Sequence, residues 1–378
     1  MAVRPASMVP FLDLAAAHAE IAAELEPAVL AVLRSGRYIL GPEVEAFEAE
    51  FAARLGVRHC VGVGNGLDAL RLSLMSLGIG RGDEVIVPGH TYIATWFAVS
   101  AAGATPVPVD VDETTYLIAP TAVEAAITPR TRAILPVHLY GQTAPMAPLL
   151  DIARRHGLAV VEDAAQAQGA ALNGIPAGTQ GNCAAWSFYP VKNLGAAGDA
   201  GAVTTNDDNL ARRLRLARNQ GSLTRSVHEM IGSNSRLDEL QAAVLRVKLR
   251  HLDGWNDRRR SAAARYLARL SGSGMGLPAI APGAYHVWHQ FVVRHLERDS
   301  LRSTLAAAGI ETLIHYETPP HLQAAYADLR LGAGSLPTTE SLAREIVSLP
   351  IDPFMSSDMQ DAVIGAVLEW VRLGPGAQ

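Results

Sequence analysis

The chain has 378 residues, 49% hydrophobic and 18% charged, with 32 basic against 37 acidic side chains and a net charge of −5. That length supports a large core and, by the usual size prior, about two domains. The interspersed charge leaves no basic footprint for nucleic acid, and no run of ~18 apolar residues exists to span a membrane.

The opening MAVRPASMVPFLDL lacks the basic-then-apolar pattern of a leader. FLDLAAAHAEIAAELEPAVLAVLRSG then predicts a helix, and RYILGPEVEAFEAEFAARLG a loop and a second helix, with the loop placed to reach a neighbouring subunit. Between residues 57 and 205 short β-branched runs alternate with helical patterns, which predicts an α/β fold with a mostly parallel central sheet and flanking helices. Strands are expected at 59–64, 84–88, 105–111, 132–140, 158–163, 184–190 and 200–206. Helices are expected at GLDALRLSLMSLG, TYIATWFAVSAAG, PTAVEAAIT, APLLDIARRHG, which its glycine stops, and NLARRLRLARN. The stretch RLDELQAAVLRVKLRHLDGWNDRRRSAAARYLARLSG exceeds an ordinary globular helix, so a bend is expected near Gly254. After SGSGMGLPAIAPGAY, the strand HVWHQFVVRHL and the helix DSLRSTLAAAG open a smaller α+β domain. The expected division is a large domain over 1–253, N-terminal arm included, and a small domain over 254–378. Cys60 and Cys183 lie far apart without metal-ligand spacing and read as core thiols of a reducing cytoplasm; no metal site is expected.

Three places carry chemistry. In VGVGNGLDAL a strand runs through Gly62, Gly64 and Gly66 into a helix whose free amides and dipole suit a phosphate; tight strand-to-helix packing explains the same glycines. A dinucleotide fold is disfavoured, because the spacing is G-x-G-x-G and Asp83 and Glu84 precede the next strand instead of closing it. Asp163 ends the strand LAVVED at the edge where ligands gather, with capping of the next helix as the alternative. Gln166 follows one helical turn later. Lys192, one of only two lysines in the chain, lies between an aromatic strand and a glycine-rich loop. Partial burial there would lower its pKa and favour a nucleophilic amine. The other lysine, Lys248, sits in a helical pattern that suits an exposed cation. A phosphate cradle, a strand-end carboxylate and a lysine are together what pyridoxal phosphate requires: the lysine binds the aldehyde, the aspartate pairs with the pyridine nitrogen, and the helix holds the phosphate. Tyr92, after the second strand, is placed to cover the ring.

The segments NGLDAL, DEVIVPGHTYIATW, PVHLYGQ, VEDAAQAQGA, SFYPVKNLGAAGDAGAV, NSRLDELQAAVLRVKL and SLPI, in this order, resemble the DegT/StrS-type sugar-nucleotide aminotransferases of the fold type I pyridoxal-phosphate enzymes. PVHLYGQ with NSRLDELQAA is similar to members that aminate C3 of dTDP-linked 6-deoxyhexoses; the C4 members more often read NYRL. The resemblance implies Lys192 as the lysine that binds the cofactor and moves the proton, Asp163 at the pyridine nitrogen, Gln166 at the ring hydroxyl and Tyr92 stacked on the ring. It implies a phosphate held by the amides of Gly66 and Leu67, the Ser187 hydroxyl and Asn234 of the partner subunit, in a homodimer with two shared sites. Tyr38, Tyr189, Arg236, Tyr316 and His321 match positions near the sugar nucleotide. The implied reaction moves the amino group of L-glutamate to a dTDP-3-keto-6-deoxyhexose, giving 2-oxoglutarate and a dTDP-3-amino-3,6-dideoxyhexose for deoxyaminosugar and antibiotic biosynthesis. Amination at C4, a sugar dehydrogenase using NAD, and a pyridoxal-phosphate-binding regulator without turnover are the alternatives. Val191, Trp186 and Gln220 depart from the glycine, phenylalanine and tyrosine usual at their positions and bear on the sugar pocket. A related subgroup that performs 3-dehydration carries histidine at the lysine position, which Lys192 argues against.

Overall fold

The computed structural model describes residues 8–224 and 226–374; residues 1–7 and 375–378, the outer ends of the two expected domains, lie outside the described residues. Asp13 caps α1 (Leu14–Ser35) by accepting the Ala15 and Ala16 amides, and Gly36 ends it in the left-handed region. α2 (Pro42–Leu55) begins on its proline. Strand and helix then alternate through β1 (His59–Val63), α3 (Gly66–Ser76), β2 (Glu84–Pro88), α4 (Ala94–Ala101), β3 (Thr105–Val109), α5 (Pro120–Ala125), β4 (Thr131–Ile134), α6 (Met146–His156) and β5 (Ala159–Asp163). A short ribbon, β6 (Ala171–Leu172) and β7 (Ile175–Pro176), precedes β8 (Cys183–Ser187) and β9 (Gly201–Thr205); α7 (Asp208–Arg218) leads to the long α8 (Glu239–Leu270). The rest comprises β10 (Ala284–Tyr285), β11 (Phe291–Arg294), α9 (Arg298–Ala307), α10 (Pro337–Glu345), β12 (Ile346–Leu349) and α11 (Ser357–Leu373). No described helix is long and apolar enough to cross a membrane.

Seven strands form the central sheet in the order β1-β9-β8-β5-β4-β2-β3. From β8 to β3 every pair is parallel, whereas β9 runs against both of its neighbours. Val85, Ile86 and Val87 are fully buried, the continuous apolar run of a strand covered on both faces.

Three expectations need correction. β4 stops at Ile134 instead of reaching residue 140, because Pro136 has no amide to offer a ladder. The chain keeps contact with β5 through its carbonyls and His138, then turns at Leu139–Gly141, which carries Tyr140 over the end of β5. HVWHQ does not join a strand: Trp288 takes a positive φ of 50°, and only Phe291–Arg294 pairs with β12. Finally, α8 runs unbroken through Gly254. A single helical glycine costs about 1 kcal/mol, too little to break 32 residues packed at both ends. Leu245, Leu249 and Leu252 pack with Phe47, Phe51 and Phe188. Ala263, Tyr266 and Leu270 join Phe291, Leu349 and Val363 in a separate core.

Candidate active site

Parallel strands deliver their last residues to one edge of the sheet, and β5 ends there on Asp163. Its carboxylate is 5% exposed and accepts from the Thr95 hydroxyl at 2.9 Å and the Ala165 amide at 3.2 Å. Since Thr95 donates to Asp163, it accepts from Thr91, 2.9 Å away, so two threonines one turn apart feed the carboxylate. Burial raises the Asp163 pKa; the Ala165 amide, the Thr95 hydroxyl and the Lys192 charge oppose that rise. Lys192 sits on the turn after β8, its amide bonded to the Tyr189 carbonyl at 2.8 Å. Burial lowers its ammonium from 10.5 to about 8, against the pull of Asp163.

The N-terminus of α3 opens beside this pair. Asn65 takes the Asp68 amide on its side chain and the Ala69 amide on its carbonyl, leaving Gly66 and Leu67 at the open end of the helix. Ser187, the last residue of β8, presses against Gly66: a Cβ on Gly66 would stand 2.6 Å from that of Ser187. Ser187 thus lies against the first residue of a helix whose leading amides are free, a pairing of hydroxyl and helix N-terminus suited to an anion, and a side chain at 66 would collide with it.

A cavity of about 480 Å³ is lined by Thr91, Tyr92, Tyr316 and Glu317 among others, and reaches Asp163 only through the Thr91–Thr95 bond. The Tyr92 and Tyr316 rings lie 5.4 Å apart. Gln166 is gripped at both ends, its oxygen accepting from the Tyr140 amide at 2.6 Å and its nitrogen donating to the Tyr316 hydroxyl at 2.9 Å. One amide hydrogen of Gln166 remains to be given. The Tyr140 hydroxyl donates to the His315 carbonyl and so accepts from His90 Nε2, 2.7 Å away. His90, lowered by burial to about 4, is neutral and carries its proton on that nitrogen.

Asp163, Lys192, Gly66, Leu67, Ser187, Gln166, Tyr92 and Tyr316 therefore come together. A buried carboxylate opposite a partly buried amine, beside a cradle for a phosphate, fits pyridoxal phosphate. Other expected residues do not line that cavity. Tyr38 is exposed, its hydroxyl donating to the Leu33 carbonyl at 3.2 Å. Tyr189 is exposed beside the lysine turn, Asn234 is exposed and bridges to Asn219, and Arg236 donates to the Asn219 side chain at 2.9 Å. His321 does not reach the cavity: it is buried, 3.1 Å from Glu340, which also takes the Gly334 and Leu336 amides. Trp186 is likewise fully buried, edge-on to Phe51 and donating to Thr204 at 2.9 Å, so this departure fills the core and not the pocket.

Thr95 is a residue the sequence reading does not single out, and Lys248 is one it places wrongly. The i, i+4 spacing of Thr91 and Thr95 after a strand was a usable signal for the first. Lys248 is not an exposed cation: it is partly buried and donates to the Gly195 carbonyl at 2.7 Å.

Residues 19–368 match the DegT/DnrJ/EryC1/StrS aminotransferase family. The dTDP-3-amino-3,4,6-trideoxy-alpha-D-glucose transaminase of Streptomyces venezuelae is 58% identical over 365 residues, 96% of either chain. The erythromycin biosynthesis sensory transduction protein EryC1 of Saccharopolyspora erythraea is 58% identical over 360 residues, 95% of this chain and 98% of its own. The crystal structure of S. venezuelae DesV, in complex with a ketimine intermediate, matches with a TM-score of 0.95 at 58% identity, over 96% of this chain and 98% of that one.

Proposed function

Because the chain belongs to the DegT/DnrJ/EryC1/StrS aminotransferase family, whose members use pyridoxal phosphate, we propose that it moves the amino group of L-glutamate to C3 of a dTDP-3-keto-6-deoxyhexose, giving a dTDP-3-amino-3,6-dideoxyhexose. The observation that carries this reading is Asp163 and Lys192 beside the Gly66–Ser187 cradle, in a chain 58% identical to a transaminase named for a dTDP-3-amino sugar.

The cofactor supplies an aldehyde to carry the amino group and a ring to take up electrons. The Gly66 and Leu67 amides and the Ser187 hydroxyl would hold its phosphate. Lys192, lowered by burial to about 8, has a neutral fraction at physiological pH; its Nζ would bind the aldehyde and hold or release the proton to be moved. Asp163 would pair with the pyridine nitrogen, whose positive charge would favour the ionised carboxylate that burial alone disfavours. Gln166 would give its free amide hydrogen to the ring hydroxyl, and Tyr92 would cover the ring. Tyr316 flanks the substrate from the cavity wall.

The active form in this reading is a homodimer, with Asn234 of the partner subunit completing each phosphate site. The exposed Leu223, Val227 and Ile231, at 51%, 60% and 90%, support a covered face there. Tyr38, Tyr189 and Arg236 reach the sugar nucleotide from that surface. The large domain runs to residue 253 and the small one follows. Two buried free thiols, Cys60 and Cys183, suit the cytoplasm.

Incubating the purified enzyme with glutamate and either a dTDP-3-keto or a dTDP-4-keto sugar, with the product identified by mass and NMR, tests the proposal. Amination at C3 is expected, and amination at C4 overturns the regiochemistry. Cofactor binding without any consumption of glutamate would turn the reading toward a regulator, which the name of the EryC1 relative favours.

A further inference from the structure

The chain has two lysines, and both line one cavity of about 30 Å³ beneath the turn after β8, with Asp13, Val191, Arg259 and Asp352. Lys248 pays for its burial without a counter-ion: among the described residues no carboxylate forms an ion pair with it, and its one hydrogen bond goes to the Gly195 carbonyl. Gly195 closes the lysine turn on itself, for a Cβ there would stand 2.3 Å from the Pro190 carbonyl oxygen. The same helix holds the turn at two other points. Gln241 accepts the Ala197 amide at 2.8 Å, and Asn256 accepts the Asn193 side chain at 2.8 Å. Residues 241, 248 and 256 are spaced by seven and eight, about two helical turns each, so they share a flank of α8. They meet residues 197, 195 and 193, alternate positions of the turn that carries Lys192.

We propose that Lys248 is a positioning residue for Lys192: with Gln241 and Asn256 it fixes the turn to α8, so that the Lys192 amine is held at one place and depth. This rests on Lys192 being the reactive amine of the proposed transamination. A turn free to lift would let water reach Nζ and would bring the amine to the cofactor in many orientations. A held turn presents one orientation, and the depth of the amine sets how easily it gives up its proton. The groups whose charge bears on Lys192 in place are Asp163, His289 and His315; those around Lys248 are Asp13, Asp352 and Arg259. His315, lowered by burial to about 4, and His289, held by burial well below the ordinary imidazole value, stay neutral at physiological pH and leave Asp163 as the charged neighbour of the amine.

Reductive dimethylation with formaldehyde across pH, applied to the cofactor-free protein and quantified by peptide mass, reads each of the two lysines separately. In Lys248→Met the labelling midpoint of Lys192 is expected to rise by about one pH unit toward an exposed lysine. In the cofactor-loaded variant the pH midpoint of the visible band should shift as well, and kcat should fall about tenfold with KM for the sugar nearly unchanged. Lys248→Arg keeps the donor and should stay near wild type. A purely structural lysine would lower the melting temperature and leave both midpoints in place. If Lys248→Met does not fold, Gln241→Leu decides by the same readouts with a smaller shift. Unmoved midpoints and kcat within about twofold in the variants that fold overturn the proposal. A wild type that binds no pyridoxal phosphate instead overturns the functional reading, while the labelling of the cofactor-free protein still tests the grip.

Discussion

Asp163 and Lys192 oppose each other's burial: each is pushed toward neutrality by its surroundings and drawn back toward charge by the other. Thr95 supports the charged side of that balance. Thr95→Val removes a donor that lowers the Asp163 pKa, so Asp163 protonates at higher pH and the acid limb of the rate profile should move upward, with kcat falling about tenfold. A pH–rate series on the variant checks this, and an unmoved limb would sever Thr95 from the site. Gly66→Ala tests the cradle, because its methyl must displace Ser187; cofactor affinity should fall while the fold survives, as measured by fluorescence titration. Lys192, Asp163 and Gln166 were legible in the sequence because each stands at a fixed offset from a strand end. The Thr91–Thr95 spacing could be read, but the pairing of Thr95 with Asp163 and of Lys248 with Gly195 could not, since those partners lie 68 and 53 residues away and only packing brings them together. The burial of His321 against Glu340 is likewise a tertiary contact that no local pattern announces.

Elements followed from sequence where one pattern spoke alone and failed where two competed. β2 is a continuous apolar run between turns and lies at 84–88 as expected. In 132–140 the β-branched run outweighed Pro136, yet the missing amide ended the strand. In α8 the length and Gly254 suggested a bend, although packing at both ends of the helix outweighs one glycine. Gly254 is exposed and nothing lies within 4 Å of a Cβ there. Gly254→Ala should therefore stabilise the protein by about 0.5–1 kcal/mol in chemical denaturation. A loss instead would mean that the helix bends in solution.

At the scale of the molecule, stability should carry the mark of Lys248. The unfolded chain keeps that proton to about 10.5 while the folded chain releases it near 8. Between those values the unfolded state binds more protons, so this lysine's contribution to stability rises with pH across the window. Urea midpoints at pH 8 and pH 10 should rise more in wild type than in Lys248→Met. The proposed dimer has its own signature. Mixing Lys192→Ala with Asn234→Ala subunits, each impaired alone, should restore roughly a quarter of wild-type activity through one intact site per mixed dimer. No recovery would assign Asn234 to its own subunit's site.

The reversed direction of β9 leaves one more mark on the protein. β8 ends at the cofactor edge, and β9, running the other way, begins there, so the excursion from 188 to 200 departs and returns on the same side without crossing the sheet. Gly201 admits that return, since a Cβ there would stand 2.5 Å from the Asn65 carbonyl oxygen. Lys192 thus rides on a closed cassette with both ends anchored. Grafting residues 188–200 between relatives should transplant the whole neighbourhood of the lysine and leave every strand in register.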